Sequence, residues 1–158
     1  MKKINILIIA FVMAPLAMFS QSETNNTDFF KSIFGVDKVT IVQDFIEVAP
    51  EQHEAFWSIY KEYETDRKEL REARIALITD YAENYNSFSD DKLDELCKQG
   101  IKQNEQTAKL IKKYYKKLRK AGGSKSAAQF LQLENYFLSL SKTAVSENIP
   151  FIGELDKI

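Results

Sequence analysis

The sequence predicts an all-α protein built on two long helices joined by a short link. No glycine or proline interrupts residues 51–99. Apolar residues recur at alternating spacings of four and three, which places them on one side of a helix. Polar caps and helix-breaking residues bound each predicted element. Because the link is short, we expect a long antiparallel helical hairpin, accompanied by a short N-terminal helix and a third, C-terminal helix.

The first 22 residues have the order of a secretory signal peptide. Lys2 and Lys3 precede an uncharged, largely apolar run over 4–19, and small residues follow it. The run is about 16 residues, whereas a spanning helix needs roughly 20, so a membrane anchor is disfavoured. Cleavage fits after Ser22 and, less well, after Ser20. We predict a signal peptide (1–22), a flexible segment (23–36), one all-α domain (37–158) and a periplasmic location.

The first helix is predicted from Asp37, a good N-cap, to Val48. A β-branched run over 39–42 also permits a strand. Helix is favoured because nothing else in the chain would pair with a strand. One side of it carries Val39, Val42, Phe45 and Ile46.

A long helix is predicted over about 51–85, or roughly 50 Å. Pro50 suits its first turn, and Glu51 favours the positive end of its dipole. Gln52 is expected to reach back to a free N–H at the helix start. The predicted stripe is Phe56, Tyr60, Tyr63, Arg67, Leu70, Arg74, Leu77 and Tyr81.

A second long helix is predicted from Ser89, its N-cap, to the glycine pair at 122–123. Gly100 inside it suggests a close helix crossing. Cys97 lies on the predicted stripe, which favours burial over an intermolecular disulfide. The stripe is Leu93, Cys97, Ile101, Asn104, Ala108, Ile111, Tyr115 and Leu118.

The third helix begins after Ser124 or Ser126 and ends near Pro150. We expect the apolar tail 149–152 to dock on the body. This helix is too short to cover the whole hairpin, so apolar surface would remain for a dimer or for other proteins. The third stripe is Phe130, Leu133, Phe137, Leu140 and Ala144.

Composition disfavours an enzyme. The 158 residues include one Cys, one His and five scattered Gly, which leaves no zinc finger, catalytic Cys–His or Ser–His arrangement, or phosphate-binding loop. His53 beside acidic residues is a weak metal candidate, and we expect no metal or other cofactor. The 22 basic and 23 acidic residues, and the predicted export, also disfavour nucleic acid.

A basic helical face is the sharpest feature of the sequence. From 106 to 133 there are eight basic residues and no acid. Five lysines fall in one arc opposite the apolar residues of the same helix. One interpretation is a solvated face balanced by the acidic helix before it. A second is a surface that attracts acidic or unfolded proteins, and a third is a site for nucleic acid or membrane lipid. The five are Lys109, Lys112, Lys113, Lys116 and Lys120.

Two arginines interrupt the apolar stripe of the first long helix. We expect the stems of Arg67 and Arg74 to cover apolar area while their charges stay in water. Their functional alternative is to bind an anion or a client, that is, an unfolded or acidic protein. The aromatic residues Phe56, Tyr60, Tyr63 and Tyr81 are expected either to contact clients or to form a dimer core.

The entry into the long helix resembles the LTxxQ motif of the Spy/CpxP class of periplasmic proteins. Gln52 matches the motif glutamine, Val48 replaces its leucine and Ala49 replaces its threonine; Pro50 and Glu51 fill the variable positions. The segment 130–135 stands where a second motif would lie and does not match. The chain is most similar, over about 37–152, to the small exported Spy-like proteins of Bacteroidetes-type bacteria.

The resemblance implies a thin, curved, all-α homodimer that holds unfolded or acidic client proteins without ATP during envelope stress. An alternative role is a sensor or regulatory protein that binds one partner, such as a sensor kinase or an anti-sigma factor. A metal-responsive helical protein is a further alternative.

Overall fold

The computed structural model describes residues 35–152. Within that range the chain forms helices and no strand, so the predicted all-α class is confirmed there. The predicted signal peptide and most of the segment 23–36 lie outside the described residues. The elements are α1 (Lys38–Phe45), a 3₁₀ turn (Pro50–Gln52), α2 (His53–Asn84) and α3 (Asp90–Asn148).

Helix α1 begins as predicted. Asp37 Oδ1 accepts a hydrogen bond from the Thr40 N–H at 3.1 Å, which satisfies a free donor of the first turn. The helix interpretation is therefore confirmed over the strand. The helix ends at Phe45 rather than at Val48, because Ile46 is already extended (φ −87°, ψ 112°).

The packed face of α1 is narrower than predicted. Val42 and Ile46 are buried, but Val39 is 51% and Phe45 43% exposed, so the prediction is wrong for those two. Lys38 is buried as well: its side chain is only 6% exposed, and its Nζ lies 2.7 Å from Glu64 Oε1.

Helix α2 follows the prediction closely along its 32 residues. Pro50 opens the turn that leads into it. Gln52, by contrast, makes no capping hydrogen bond with its side chain, so that prediction is wrong. Phe56, Tyr60 and Tyr63 of the predicted stripe are buried.

The first part of α3 packs along α2 in the opposite direction. Ser89 caps it as predicted, since its Oγ accepts from the Lys92 N–H at 3.3 Å. Near the link, Lys92 Nζ lies 2.8 Å from Asp80 Oδ2. At the far end, Lys117 Nζ lies 2.8 Å from Glu62 Oε2. The first part of α3 and α2 are therefore antiparallel.

Gly123 divides α3 into a first segment (90–122) and a second segment (124–148). Its φ of 82° and ψ of 178° are non-helical and suit a residue without Cβ. The predicted helix end at 122–123 is thus confirmed. Beyond it, the Tyr63 hydroxyl donates to Glu134 Oε2 at 2.6 Å, and the Tyr81 hydroxyl donates to the Pro150 carbonyl at 2.7 Å. The second segment therefore runs parallel to α2.

The first segment of α3 buries only part of the predicted stripe, since Ile111 and Leu118 are buried as predicted. Cys97 and Ile101 are exposed, the latter by 61%, so both predictions of burial are wrong. At two positions the buried residue is the neighbour of the predicted one, namely Leu96 in place of Cys97 and Tyr114 in place of Tyr115. The buried large residues are Leu96, Ile111, Tyr114 and Leu118.

The close helix crossing predicted at Gly100 lies instead at Gly122. A Cβ on Gly100 would meet no atom within 4 Å, whereas a Cβ on Gly122 would lie 2.5 Å from Phe56 Cδ2. The Phe56 ring of α2 thus lies where a side chain on Gly122 would otherwise be.

The core is aromatic and lies within one chain. The Tyr63 ring meets those of Phe130 and Tyr114 edge-on, at centroid distances of 5.0 and 5.3 Å. Phe56, Tyr60 and Tyr63 are all at most 5% exposed. They serve neither as client contacts nor as a dimer core, because neighbouring helices of the same chain already cover them.

The apolar tail docks only in part. Ile149 and Pro150 are partly buried, and Tyr81 holds the latter by its carbonyl. Phe151 and Ile152 remain exposed, by 51% and 61%, so the predicted docking is wrong for these two.

Candidate functional site

The predicted basic face lies on the outside of the first segment of α3. All five predicted lysines are exposed. Lys113 differs from the others because its Nζ lies 2.9 Å from Asp66 Oδ2 on α2. Within residues 35–152, no ion pair involves the other four. We call these four the lysine face: Lys109, Lys112, Lys116 and Lys120.

Lys113 belongs to the contact between α2 and α3. Asp66 Oδ2 accepts hydrogen bonds from Lys113 Nζ and from the Tyr114 hydroxyl, at 2.9 and 2.7 Å. These two bonds lower the pKa of Asp66 below its ordinary value. Lys117 makes a similar bridge to Glu62 one turn further on. Lys113 and Lys117 therefore pair with acids of α2, whereas the lysine face has no ion-pair partner among the described residues.

Arg67 lies in a buried ionic cluster instead of at the surface. We define this cluster as Lys38, Glu64, Arg67 and Glu134, which α1, α2 and α3 contribute together. The side chain of Arg67 is 14% exposed and that of Glu134 1%. The prediction that the Arg67 charge stays in water is wrong, and its position gives a client no access to it.

Short contacts join the members of the ionic cluster. Lys38 Nζ lies 2.7 Å from Glu64 Oε1 and 2.7 Å from Glu134 Oε1. Arg67 Nε lies 3.6 Å from Glu134 Oε2. Within the described residues, Arg67 Nη1 and Glu134 Oε1 are buried without a directed hydrogen bond. The cluster is thus neutral in total, and hydrogen bonds from Lys38 to Glu64 and from Tyr63 to Glu134 add to its charge pairing.

The cluster shifts the pKa values of its own members. Burial works against the charged Glu64, but Lys38 and Arg67 outweigh it and hold the pKa of Glu64 below its ordinary value. Burial likewise opposes the Arg67 charge, whereas the carboxylates of Glu134 and Glu64 raise the pKa of Arg67. Both groups therefore stay ionised at neutral pH, and the cluster has a structural role.

Arg74 is the second predicted arginine and lies in a groove. It makes no ion pair with any of residues 35–152, and burial alone lowers its pKa from the ordinary value. The groove encloses about 410 Å³ between α2 and the two segments of α3. Lys112 of the lysine face and Lys142 of the second segment also line it, and none of its lining residues is an acid. We call it the basic groove.

The floor of the basic groove is apolar and its rim is polar. Asn104 and Asn135 contribute side-chain amides that make no hydrogen bond with the described residues. A volume of a few hundred Å³ is typical of ligand sites. The apolar lining comes from Ala108, Ile111, Tyr115, Leu131 and Leu138.

Three residues of the segment that carries the motif resemblance line a second, larger groove of about 760 Å³ at the bend of α3: Val48, Ala49 and Gln52. Glu47 precedes the segment and is held to α3: its carbonyl accepts from Ser126 Oγ at 2.6 Å and its carboxylate lies 2.6 Å from Lys125 Nζ. This groove contains acids as well as bases. Glu47, the residue before the motif segment, therefore fastens the link between α1 and α2 to α3.

His53 lies exposed at the start of α2, with its ring centroid 6.0 Å from that of Trp57. Across residues 35–152, no three His, Cys, Asp or Glu side chains come together in a way that would hold a metal ion.

Several residues of these sites were not predicted. Lys142 and Asn135 lie beside the apolar stripe of the third predicted helix. Nothing in their spacing along the sequence indicates that they face Arg74 across the fold. Lys38 and Glu134 are each adjacent to apolar positions, and only their contact in space reveals the ionic cluster.

Comparisons with known proteins give no relative of this chain. No family model, no characterised protein and no solved structure matches it significantly. In the part of the chain that the structure describes, every helix is too polar or too short to cross a membrane.

Proposed function

We propose that this protein is exported and binds unfolded or acidic segments of other proteins, holding them without ATP. The observation that carries the proposal is the lysine face. Its four ammonium groups share one side of a helix, and no acid within residues 35–152 neutralises them.

Electrostatics explains why such a face would attract acidic chains. The whole sequence has a net charge of −1, so the lysine face is a local excess and not part of a generally basic protein. Unpaired exposed charges raise the encounter rate with oppositely charged partners. Salt shortens this attraction, because the Debye length falls from about 10 Å at 0.1 M to about 3 Å at 1 M.

The test is an aggregation assay with the mature chain, residues 23–158. The protein is added to a chemically unfolded acidic client at low and at high salt, without ATP. We expect suppression of aggregation that weakens at high salt. No suppression at several-fold excess, or suppression that salt does not alter, would contradict the proposal.

A pair of variants separates the lysine face from charge in general. Lys116→Gln/Lys120→Gln removes two charges from the face, and Lys61→Gln/Lys125→Gln removes two exposed charges elsewhere. We expect reduced suppression from the first variant and unchanged suppression from the second. Equal losses from both would assign the effect to net charge.

The second candidate function is a regulatory protein with a single envelope-stress partner. The basic groove favours it, because cations at fixed positions select one pattern of acids. This role predicts one stoichiometric complex with the periplasmic part of a sensor kinase or an anti-sigma factor. Recovery of only heterogeneous unfolded proteins from a periplasmic extract would contradict it.

The thin, curved homodimer implied by the family resemblance is also part of the proposal. Its interface would use apolar residues that remain exposed, such as Val39, Phe45 and Ile101, since the aromatic core is already covered. Analytical ultracentrifugation of the mature chain measures the mass directly. A monomer at all concentrations would remove the dimer and leave the binding role intact.

A further inference from the structure

We propose that the basic groove binds an extended peptide of about five residues in which two acidic side chains flank an apolar one on the same face. This inference rests on the proposed function, because it specifies which client segment the protein selects. It concerns Arg74, Lys112 and Lys142, and it does not require the other three lysines of the lysine face.

The dimensions of the groove fit such a segment. Its lining residues extend over 104–115 on the first segment of α3 and over 131–142 on the second. Eleven residues of helix measure about 16 Å. Five residues of extended chain, at about 3.3 Å each, have the same length.

The cations stand at both ends of the groove. Lys112 lies near the end formed by Tyr115 and Leu131. Lys142 and Asn104 form the other end. The hydrogen bond from Gln103 Nε2 to the Leu70 carbonyl, at 3.2 Å, places Arg74 one turn away from Leu70 and so beside that end.

Arg74 gives the groove its preference for carboxylates. A guanidinium that is partly removed from water and has no acid partner is costly until an anion reaches it. Its planar fork matches a carboxylate with two parallel hydrogen bonds. An acidic side chain at one end of the peptide would therefore meet Arg74 and Lys142, and the second would meet Lys112.

The neutral groups of the groove favour a peptide over a lipid-like acid. The amides of Asn104 and Asn135 offer both donors and acceptors, which suit the N–H and C=O groups of an extended backbone. An alkyl chain would cover these amides without hydrogen-bonding them. The apolar floor, which includes Ile111 and Leu138, takes the central side chain.

Alternation along an extended chain sharpens the prediction. Successive side chains point to opposite faces, so only residues 1, 3 and 5 of a pentapeptide face the groove together. The capped peptide Glu-Ser-Leu-Ser-Glu presents acid, apolar and acid on one face. The capped peptide Ser-Glu-Leu-Glu-Ser has the same composition but turns both acids away from the leucine.

The experiment measures binding of both fluorescently labelled peptides to the mature chain at low salt. We expect Glu-Ser-Leu-Ser-Glu to bind more tightly, and Arg74→Gln to weaken it by roughly tenfold, as for loss of a charge-assisted bidentate contact. Lys142→Gln, at an exposed position, tests the same end of the groove with little risk to folding. Lys125→Gln, outside this groove, should change nothing.

The outcomes separate the groove from the general function. Equal binding of the two peptides, or no effect of Arg74→Gln and Lys142→Gln, would overturn the inference even if aggregation is suppressed. Selective binding with no suppression of aggregation would support the groove and contradict the holding function. Displacement of the peptide by dodecanoate at much lower concentrations than by unlabelled peptide would assign the groove to a lipid-like acid and overturn the inference.

Discussion

Replacing glycine with alanine at two positions of α3 should have opposite effects on stability. At Gly100 the new Cβ enters open space, so Gly100→Ala should gain about 0.5–1 kcal/mol from helix propensity alone. At Gly122 the same gain is opposed by a steric clash, because the new Cβ would lie 2.5 Å from Phe56 Cδ2. Overpacking of this kind costs about 1–3 kcal/mol. Gly122→Ala should therefore lose up to about 2 kcal/mol, because the ring that the new Cβ meets belongs to the fully buried Phe56.

Urea unfolding followed by far-ultraviolet circular dichroism measures both variants. With an m-value of about 2 kcal/mol/M, each kcal/mol moves the midpoint by about 0.5 M. A third variant, Phe56→Leu, is combined with Gly122→Ala, and we expect the alanine to be tolerated better once the ring is gone. If Gly122→Ala proves as stable as Gly100→Ala, the close contact at the bend is not what we describe.

Three further predictions concern single side chains. Glu134→Gln leaves Lys38 without the buried one of its two acid partners and should destabilise the fold by about 3–5 kcal/mol. Glu62→Gln, at an exposed pair, should cost at most about 1 kcal/mol. Similar urea midpoints for the two variants would contradict the ionic cluster. The folded state lowers the pKa of Glu64 below its ordinary value of 4.5, so the contribution of Glu64 to stability is present above that pH and is lost as the pH falls through the lower, folded pKa. The loss of stability on acidification, measured by thermal unfolding, should therefore be smaller in Glu64→Gln. An identical pH profile for the variant and the original protein would refute this. Cys97 is exposed, so the native protein should react with a thiol reagent without denaturant and should form disulfide-linked dimers on oxidation. Cys97→Ser should abolish both reactions. A thiol that reacts only after unfolding would show that Cys97 is buried.

Local signals were sufficient for the helical class and for most helix ends. Asp37, Ser89 and the glycine pair 122–123 act on the backbone within three or four residues, and each marks a boundary where the structure has one. Pro50 behaves likewise. Such signals do not depend on what lies across the fold.

The register of the first segment of α3 was harder to predict, because two adjacent tyrosines fit two different stripes. Tyr114 and Tyr115 are equally apolar in sequence, and either can define a buried side. The structure buries Tyr114, whose hydroxyl reaches Asp66 on α2 at 2.7 Å. That partner lies 48 residues away, and so periodicity within one helix carries no information about it.

The buried charges were missed for a related reason. An arginine on an apolar stripe is most often at the surface with its stem packed, and this assumption failed for Arg67. Its charge is balanced by Glu134, 67 positions later, and by Glu64 on its own helix. The basic groove has the same origin. Arg74 and Lys112 were predicted singly, but Lys142 joins them only because the chain reverses at Gly123.

The order of charges along α3 gives this helix an electric dipole. Residues 90–105 contain five acids and three bases, whereas eight bases and no acid follow between 106 and 133. A body with almost no net charge can still experience a torque in the field of a charged neighbour. An approaching polyanion would turn the protein so that the end near Gly123 leads. The orientation of first contact would then be decided in solution, before any side chains touch.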